Sequence, residues 1–171
     1  RGNSAYDQFL GDFTHGPNAS LGTVEKGPFY AVQVVPGDVG TFGGAVIDME
    51  DWRLVKVIKT SGPGFFLRSH AGTPYLWADV FTGPHKGEMH IIDKQSLEVV
   101  KVITPAPGKT VEHTEFTKDG SRALVSIWED DGAVIVFDAA TQTEIKRLPM
   151  RKPSGKYNVW NKISFEDGTS H

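Results

Sequence analysis

One phrase recurs three times in this chain, at intervals of 45 residues. The first copy is AVIDMEDWRLVKVI, Ala45 to Ile58; the second is HIIDKQSLEVVKVI, His90 to Ile103; the third is VIVFDAATQTEIKRL, Val134 to Leu148. Asp48, Asp93 and Asp138 fall in register, as do Lys56, Lys101 and Lys146. Each copy is an apolar run, an Asp-led polar turn and a second apolar run. β-branched residues on both arms with turn formers between them predict a β-hairpin. A hairpin returning at this interval predicts stacked supersecondary units, and about 40 to 50 residues is the period of a four-stranded propeller blade.

The chain between the hairpins fits that plan. A first unit from Ala45 to about Thr82 adds SGPGFFLRSH, an AGTP turn and YLWADVF to its hairpin. The second adds VEHTEFT, the turn KDGS and RALVSIWE; the third adds PSGKYNVWNKISF and ends on EDGTSH at His171. The reading is a mainly β chain, a partial β-propeller of about two and a half four-stranded blades. An open end of that kind leaves strand edges unpaired, so either other chains complete the ring, through oligomer contacts at the open blade edges, or the chain is a piece of a longer protein. The piece is the favoured expectation. Residues 1–44 do not share the repeat. SAYDQFLGD predicts a short helix capped by Ser4 with Asp7 three residues on, and PFYAVQVV predicts a strand over Phe29–Val35. The loop Pro36–Gly44 holds four glycines in nine residues, which suits either a turn or close backbone approach to a ligand. This leader is expected to be irregular and partly helical.

Composition removes several function classes. With no cysteine, thiolate catalysis, disulfides and zinc–thiolate sites are excluded. A formal net charge of -3 gives no general attraction to nucleic acid, and no apolar run reaches the roughly 20 residues of a membrane helix. The chain begins at Arg1 with no signal peptide before it, as a processed chain or a fragment would.

Three segments occupy the same place in the period: FFLRSH, VEHTEF and GKYNVWNK. They bring Arg68 and His70, then His113, then Lys156, Tyr157 and Asn158 to equivalent points. Such a set suits a large, flat ligand bearing carboxylates: an Arg fork grips a carboxylate, and His and Tyr pass protons or cap a face. The competing reading is that each satisfies backbone at a strand end. His70, His85 and His90 follow no metal-binding spacing, and no metal ligand is assigned.

The runs GPGFFLRSH, PAPGKTVEHTEFTKDGSRALVSIWEDDGA and KPSGKYNVWNK…EDGTSH resemble the haem d1 propeller family, which includes cd1-type nitrite reductases and the dihydro-haem d1 dehydrogenases of haem d1 biosynthesis. The resemblance covers roughly residues 45–171 and is strongest to the dehydrogenase branch. It implies an oxidoreductase-related, eight-bladed propeller holding haem d1 or its dihydro precursor, a haem c partner that takes the electrons, and a periplasmic location. On it, Arg68 would bind a tetrapyrrole carboxylate, and His113 and Tyr157 would be the proton-handling or positioning groups. The family's CxxCH haem c attachment site and the blades with the axial histidine are missing, so this chain alone is expected to be incomplete.

SAYDQFLGD and PFYAVQVVPGDVGTFGG resemble the C-terminal part of FAD-dependent 3-ketosteroid delta-1-dehydrogenases. That resemblance would give Tyr30 a catalytic role at the steroid carbonyl and place Gly40, Gly43 and Gly44 beside flavin. The GxGxxG dinucleotide fingerprint does not occur, so FAD binding by these 171 residues alone is not expected. The two patterns meet at Gly43-Gly44-Ala45, where one Asp, Asp48, serves both registers. The division expected is a flavoprotein-like segment over 1–44 and truncated haem d1 blades over 45–171, joined as a chimera or fusion. Three functions compete: a haem d1-binding oxidoreductase fragment, a steroid dehydrogenase segment, and a non-catalytic propeller-like module for binding or assembly.

Overall fold

A computed structural model describes residues 23–24, 27–34, 42–48, 52–70 and 72–154. The helix expected near Ser4, Gly40, Lys156, Tyr157, Asn158 and the strand expected beyond Pro153 lie outside the described residues.

Among the described residues the fold is mainly β, with strands in three antiparallel four-stranded sheets. The first sheet holds β1 (Thr23–Val24), β2 (Gly27–Val34), β3 (Phe42–Asp48) and β4 (Leu54–Thr60). The second holds β5 (Leu67–Ser69), β6 (Tyr75–Asp79), β7 (Met89–Asp93) and β8 (Glu98–Ile103). The third holds β9 (Val111–Phe116), β10 (Arg122–Ile127), β11 (Ala133–Asp138) and β12 (Glu144–Pro149). Each sheet runs in chain order, as a propeller blade does.

The repeated phrase is β3–β4, β7–β8 and β11–β12, and its register repeats to the residue. Val46, Ile91 and Val136 lie opposite Lys56, Lys101 and Lys146, and a bulge follows each of these pairs. Trp52, Leu97 and Gln142, again 45 apart, take left-handed backbone at φ of 59°, 58° and 54°. The turn aspartate makes that geometry. Asp93 Oδ1 accepts the N–H groups of Gln95 and Ser96 at 3.0 and 2.7 Å, and Asp138 Oδ1 accepts those of Ala140 and Thr141 at 3.1 and 3.0 Å. These are Asx turns, the local competition with the ladder that Asp offers. The in-register lysines tie blade to blade: Lys56 reaches Glu98 and Lys101 reaches the Thr141 carbonyl, each one sheet onward.

One expectation needs correcting. The hairpin closes each sheet instead of opening it, so the first unit does not start at Ala45. Residues 27–34 pair with β3 from Phe29↔Asp48 to Val34↔Gly43 and belong to the first sheet. A tight hairpin looks the same in sequence as the first or last pair of a sheet. What sets the frame is packing between sheets, which a period does not reveal. The strand expected over Phe29–Val35 is β2, and the junction proposed at residues 43–45 lies inside β3.

The second sheet is sandwiched, and its alternation shows it. Leu76, Ala78 and Ile92 pack with Val46, Ile58 and Leu67 toward the first sheet. Trp77, Met89 and Ile91, the alternate positions, pack with Phe116, Val125 and Ile135 toward the third. Both faces are buried, so β6 and β7 read as continuous apolar runs. The last strands, β4, β8 and β12, are largely exposed, whereas all six residues of β9 are buried. β5 and β9 pack on each other and form the inner edge.

Candidate functional site at the inner strands

Inner strands normally bury apolar side chains, yet β9 buries Glu112, His113, Thr114 and Glu115 in succession. Four buried polar groups on one strand are costly unless something engages them, which marks this strand as a place for function. Arg68 on β5 is half-buried, its Cα opposite Trp77. His113 lies 45 residues further on, but the ladders Arg68↔Trp77↔Ile91 and Glu115↔Leu124↔Val136 make Glu115 the counterpart of Arg68. The equivalent placement expected for His113 is thereby corrected: it falls in the β9 bulge and stands against Phe66. The structure thus places Arg68 and His113 on two strands that pack on each other, at different levels along them.

His113 is unusual in its backbone. Its φ is 47°, left-handed for a non-glycine residue, and the β9–β10 register slips beside it, from Leu124↔Glu115 to Ser126↔Glu112. Bulges and positive φ in non-glycine residues collect where a side chain must be re-aimed. The side chain is 2% exposed and stands edge-on to Phe66, with ring centroids 4.6 Å apart. A row of aromatic contacts leads outward from it: Phe66 to Phe65, Phe65 edge-on to Phe81 at 4.7 Å, Phe81 to Trp128 at 5.9 Å. Phe65 and Trp128 are exposed. This end of the sheets therefore carries a run of rings from the buried His113 out to the exposed Phe65 and Trp128. Arg68 is on the strand that Phe65 and Phe66 lead into, and these residue types suit a planar ligand with carboxylates.

Asp79, which the sequence reading passed over, sits beneath this end. It is fully buried at the end of β6. Oδ1 accepts the N–H groups of Phe65 and Phe66 at 2.8 and 3.0 Å, and Oδ2 accepts that of His113 at 3.2 Å. Burial pushes its pKa up to about 7, against the pull of those three donors. The available signal was an Asp ending the apolar run YLWAD, but no other copy of the unit carries one at that point, so the repeat did not flag it.

The other histidines among the described residues do other work. His70 Nδ1 accepts the Gly72 N–H at 2.9 Å, so Nε2 carries the proton and donates to the Lys118 carbonyl at 3.0 Å. It clips the second sheet to the 117–121 turn of the third, and the buried Lys94 ammonium donates to its carbonyl at 2.8 Å. Burial lowers the Lys94 pKa to about 8. His85 is exposed, with Nδ1 2.8 Å from Glu88. His90 Nε2 lies 3.0 Å from Ser61 Oγ and 3.4 Å from Glu88 Oε2, while the Ser61 hydroxyl donates directly to Glu88. A nucleophile relay needs the carboxylate on the other ring nitrogen, so this is not one. Burial lowers the His90 pKa, and the Ser61 hydroxyl leads the groups that hold Glu88 low. Among the described residues no cluster of His, Asp or Glu is arranged to hold a metal ion.

Gly43 and Gly44 lie within β3, buried and paired on both sides. A Cβ on Gly43 would stand 2.1 Å from the Ile58 carbonyl oxygen, so strand packing alone requires glycine there. Tyr30 is on β2, its Cα opposite Ile47.

The model of the cytochrome D1 heme domain matches residues 12–162. The chain belongs to the cytochrome D1 heme domain family. The match includes most of the first 44 residues as well as the repeats. Within the family, the chain is 55% identical over 127 residues to the dihydro-heme d1 dehydrogenase of Pseudomonas aeruginosa strain PAO1, covering 74% of this chain and 26% of that protein. A solved structure of dihydro-heme d1 dehydrogenase NirN in complex with DHE superposes with a TM-score of 0.72 at 50% identity, over 79% of this chain and 28% of that one. The chain thus spans about a quarter of the length of these relatives. A separate similarity is to the 3-oxosteroid 1-dehydrogenase of Mycolicibacterium smegmatis strain mc(2)155, 55% identical over 84 residues, or 49% of this chain and 14% of that protein. Both resemblances seen in the sequence are thereby borne out.

Proposed function

We propose that these sheets are blades of a β-propeller that binds a d1-type tetrapyrrole at the inner-strand end, as part of an oxidoreductase of the dihydro-haem d1 dehydrogenase type. The observation that carries this is the presence of Arg68 and His113 on two inner strands that pack on each other, in a chain of this family. Bound there, the tetrapyrrole is the redox-active group and, in its dihydro form, the substrate. The chain's residues bind and orient it. Arg68 holds a peripheral carboxylate through its planar fork. His113, fixed by its strained backbone, would take up one of the two protons released if a bound propionate side chain is oxidised to an acrylate, the second passing to solvent. Tyr157 is assigned the neighbouring proton-handling position by resemblance, and the electrons pass to a haem c partner. A cd1 nitrite reductase type of chemistry at the same site and a periplasmic location belong to the same reading.

The test is an anaerobic titration of the purified chain with dihydro-haem d1, followed by visible absorption. Saturable uptake with a shifted long-wavelength band is the expected result. A chain that leaves the pigment spectrum unchanged overturns the reading.

The oxosteroid dehydrogenase similarity supports a second reading, in which residues 1–44 derive from a flavoprotein, with Tyr30 as its steroid-contacting residue and Gly40, Gly43 and Gly44 near flavin. Blue flavin absorption retained through purification, or restored by added FAD, is what that reading requires.

A further inference from the structure

We propose that Asp79 is a positioning residue, which sets the left-handed backbone of His113 and couples it to the strand that carries Arg68. This rests on the reading of Arg68 and His113 as the tetrapyrrole-facing pair.

The two oxygens of Asp79 serve two different segments. Oδ1 takes both amides of Phe65–Phe66, the residues that lead directly into Leu67–Arg68 on β5. Oδ2 takes the amide of His113 on β9. One rigid, fully buried carboxylate therefore spans the gap between the two inner strands, and Phe66 closes the same triangle by packing edge-on against the imidazole. A left-handed histidine costs free energy unless its surroundings over-determine it. In the conformation observed the N–H of His113 meets Asp79 Oδ2, and the carboxylate supplies that determination. Simple packing does not account for this choice, because an apolar residue at the end of β6 would fill the space without removing a charge from water. The neighbouring Glu112 carboxylate adds repulsion, which makes retention of the charge costlier still.

Asp79→Asn is the informative change. The amide keeps one oxygen for Phe65 and Phe66 but presents its NH2 to the His113 N–H, donor against donor. The experiment is a double-mutant cycle in the full chain, D79N against H113A, with dihydro-haem d1 titrated and the bound spectrum recorded. Coupling within such a network predicts that D79N weakens binding about ten-fold in wild type and less than about two-fold in the H113A background. The bound spectrum of D79N should shift toward that of H113A. Equal effects in both backgrounds, or none in wild type, overturn the proposal. The backbone half is read without ligand: exchange of the His113 amide proton accelerates in D79N, and unchanged protection overturns it. If amide exchange responds while H113A itself binds normally, the clamp stands and the tetrapyrrole assignment of His113 fails. Should D79N not fold, H113G gives the second arm. Glycine accepts a φ near 47° without strain, so D79N/H113G should recover folding; a double variant that remains unfolded contradicts the clamp.

Discussion

Arg68 and His113 stand 45 residues apart on β5 and β9, two inner strands that pack on each other. The Asp79 carboxylate bonds both the His113 backbone and the Phe65–Phe66 turn that leads to Arg68. Residues far apart in sequence are thus joined through one buried carboxylate, which accepts the N–H groups of Phe65 and His113.

The contact between sheets at His70 predicts a sharp stability effect at Gly120. That glycine has a φ of 71°, and a Cβ there would lie 2.2 Å from His70 Nδ1. G120A should lower unfolding free energy by about 2 to 4 kcal/mol, from backbone strain plus displacement of the imidazole. H70A/G120A should recover the steric part and keep the strain. Denaturant melts of the three proteins check this, and a G120A chain as stable as wild type would show that the clip is absent.

The Asx turns predict a graded pair. Removing the carboxylate of Asp93 orphans two turn amides, and D93A should cost about 1 to 2 kcal/mol. Asp138 does the same and also receives Arg122 Nη1 at 2.8 Å, a partly exposed pair. D138A should destabilise slightly more than D93A at low salt, and the excess should shrink at high salt.

Asp79 predicts a particular pH dependence. Its folded pKa, about 7, lies above its unfolded value near 3.8. Between those values the native state holds the proton and the unfolded state does not, so this group's contribution to stability falls as pH rises and is lost above about 7. Glu112 reinforces the shift. The stability of wild type relative to D79N should therefore decline from about pH 4 to about pH 7 and level off beyond; the comparison cancels the opposite trend from His90. A difference that is flat across this range would contradict the raised pKa.

The fold was legible where local chemistry repeats. Asp48, Asp93 and Asp138 announced hairpins, and Lys56, Lys101 and Lys146 announced their register. The sheet frame was not legible, because inter-sheet packing decides whether a hairpin opens or closes a blade. Counting periods singled out Arg68 and His113, but the β9 bulge, which a period does not reveal, sets Glu115 level with Arg68 instead. Asp79 was missed because its role exists only once β6, β9 and the Phe65–Phe66 turn come together. His70 sits beside Arg68 in sequence, but its ring bonds the backbone of the 117–121 turn. Gly43 reads equally as a ligand loop or a packed strand until β4 is seen against it.

The central claim is that Arg68 and His113 form one tetrapyrrole-binding site, and the most direct measurement is a parallel titration of dihydro-haem d1 into wild type, R68A, H113A and K56A. Lys56 lies on an outer strand, paired with the exposed Glu98, and serves as the control. Loss of a charge-assisted contact of about 1.5 to 3 kcal/mol predicts R68A at least roughly ten-fold weaker than wild type, H113A similarly weakened, and K56A within about two-fold. Four indistinguishable binding curves would contradict the account.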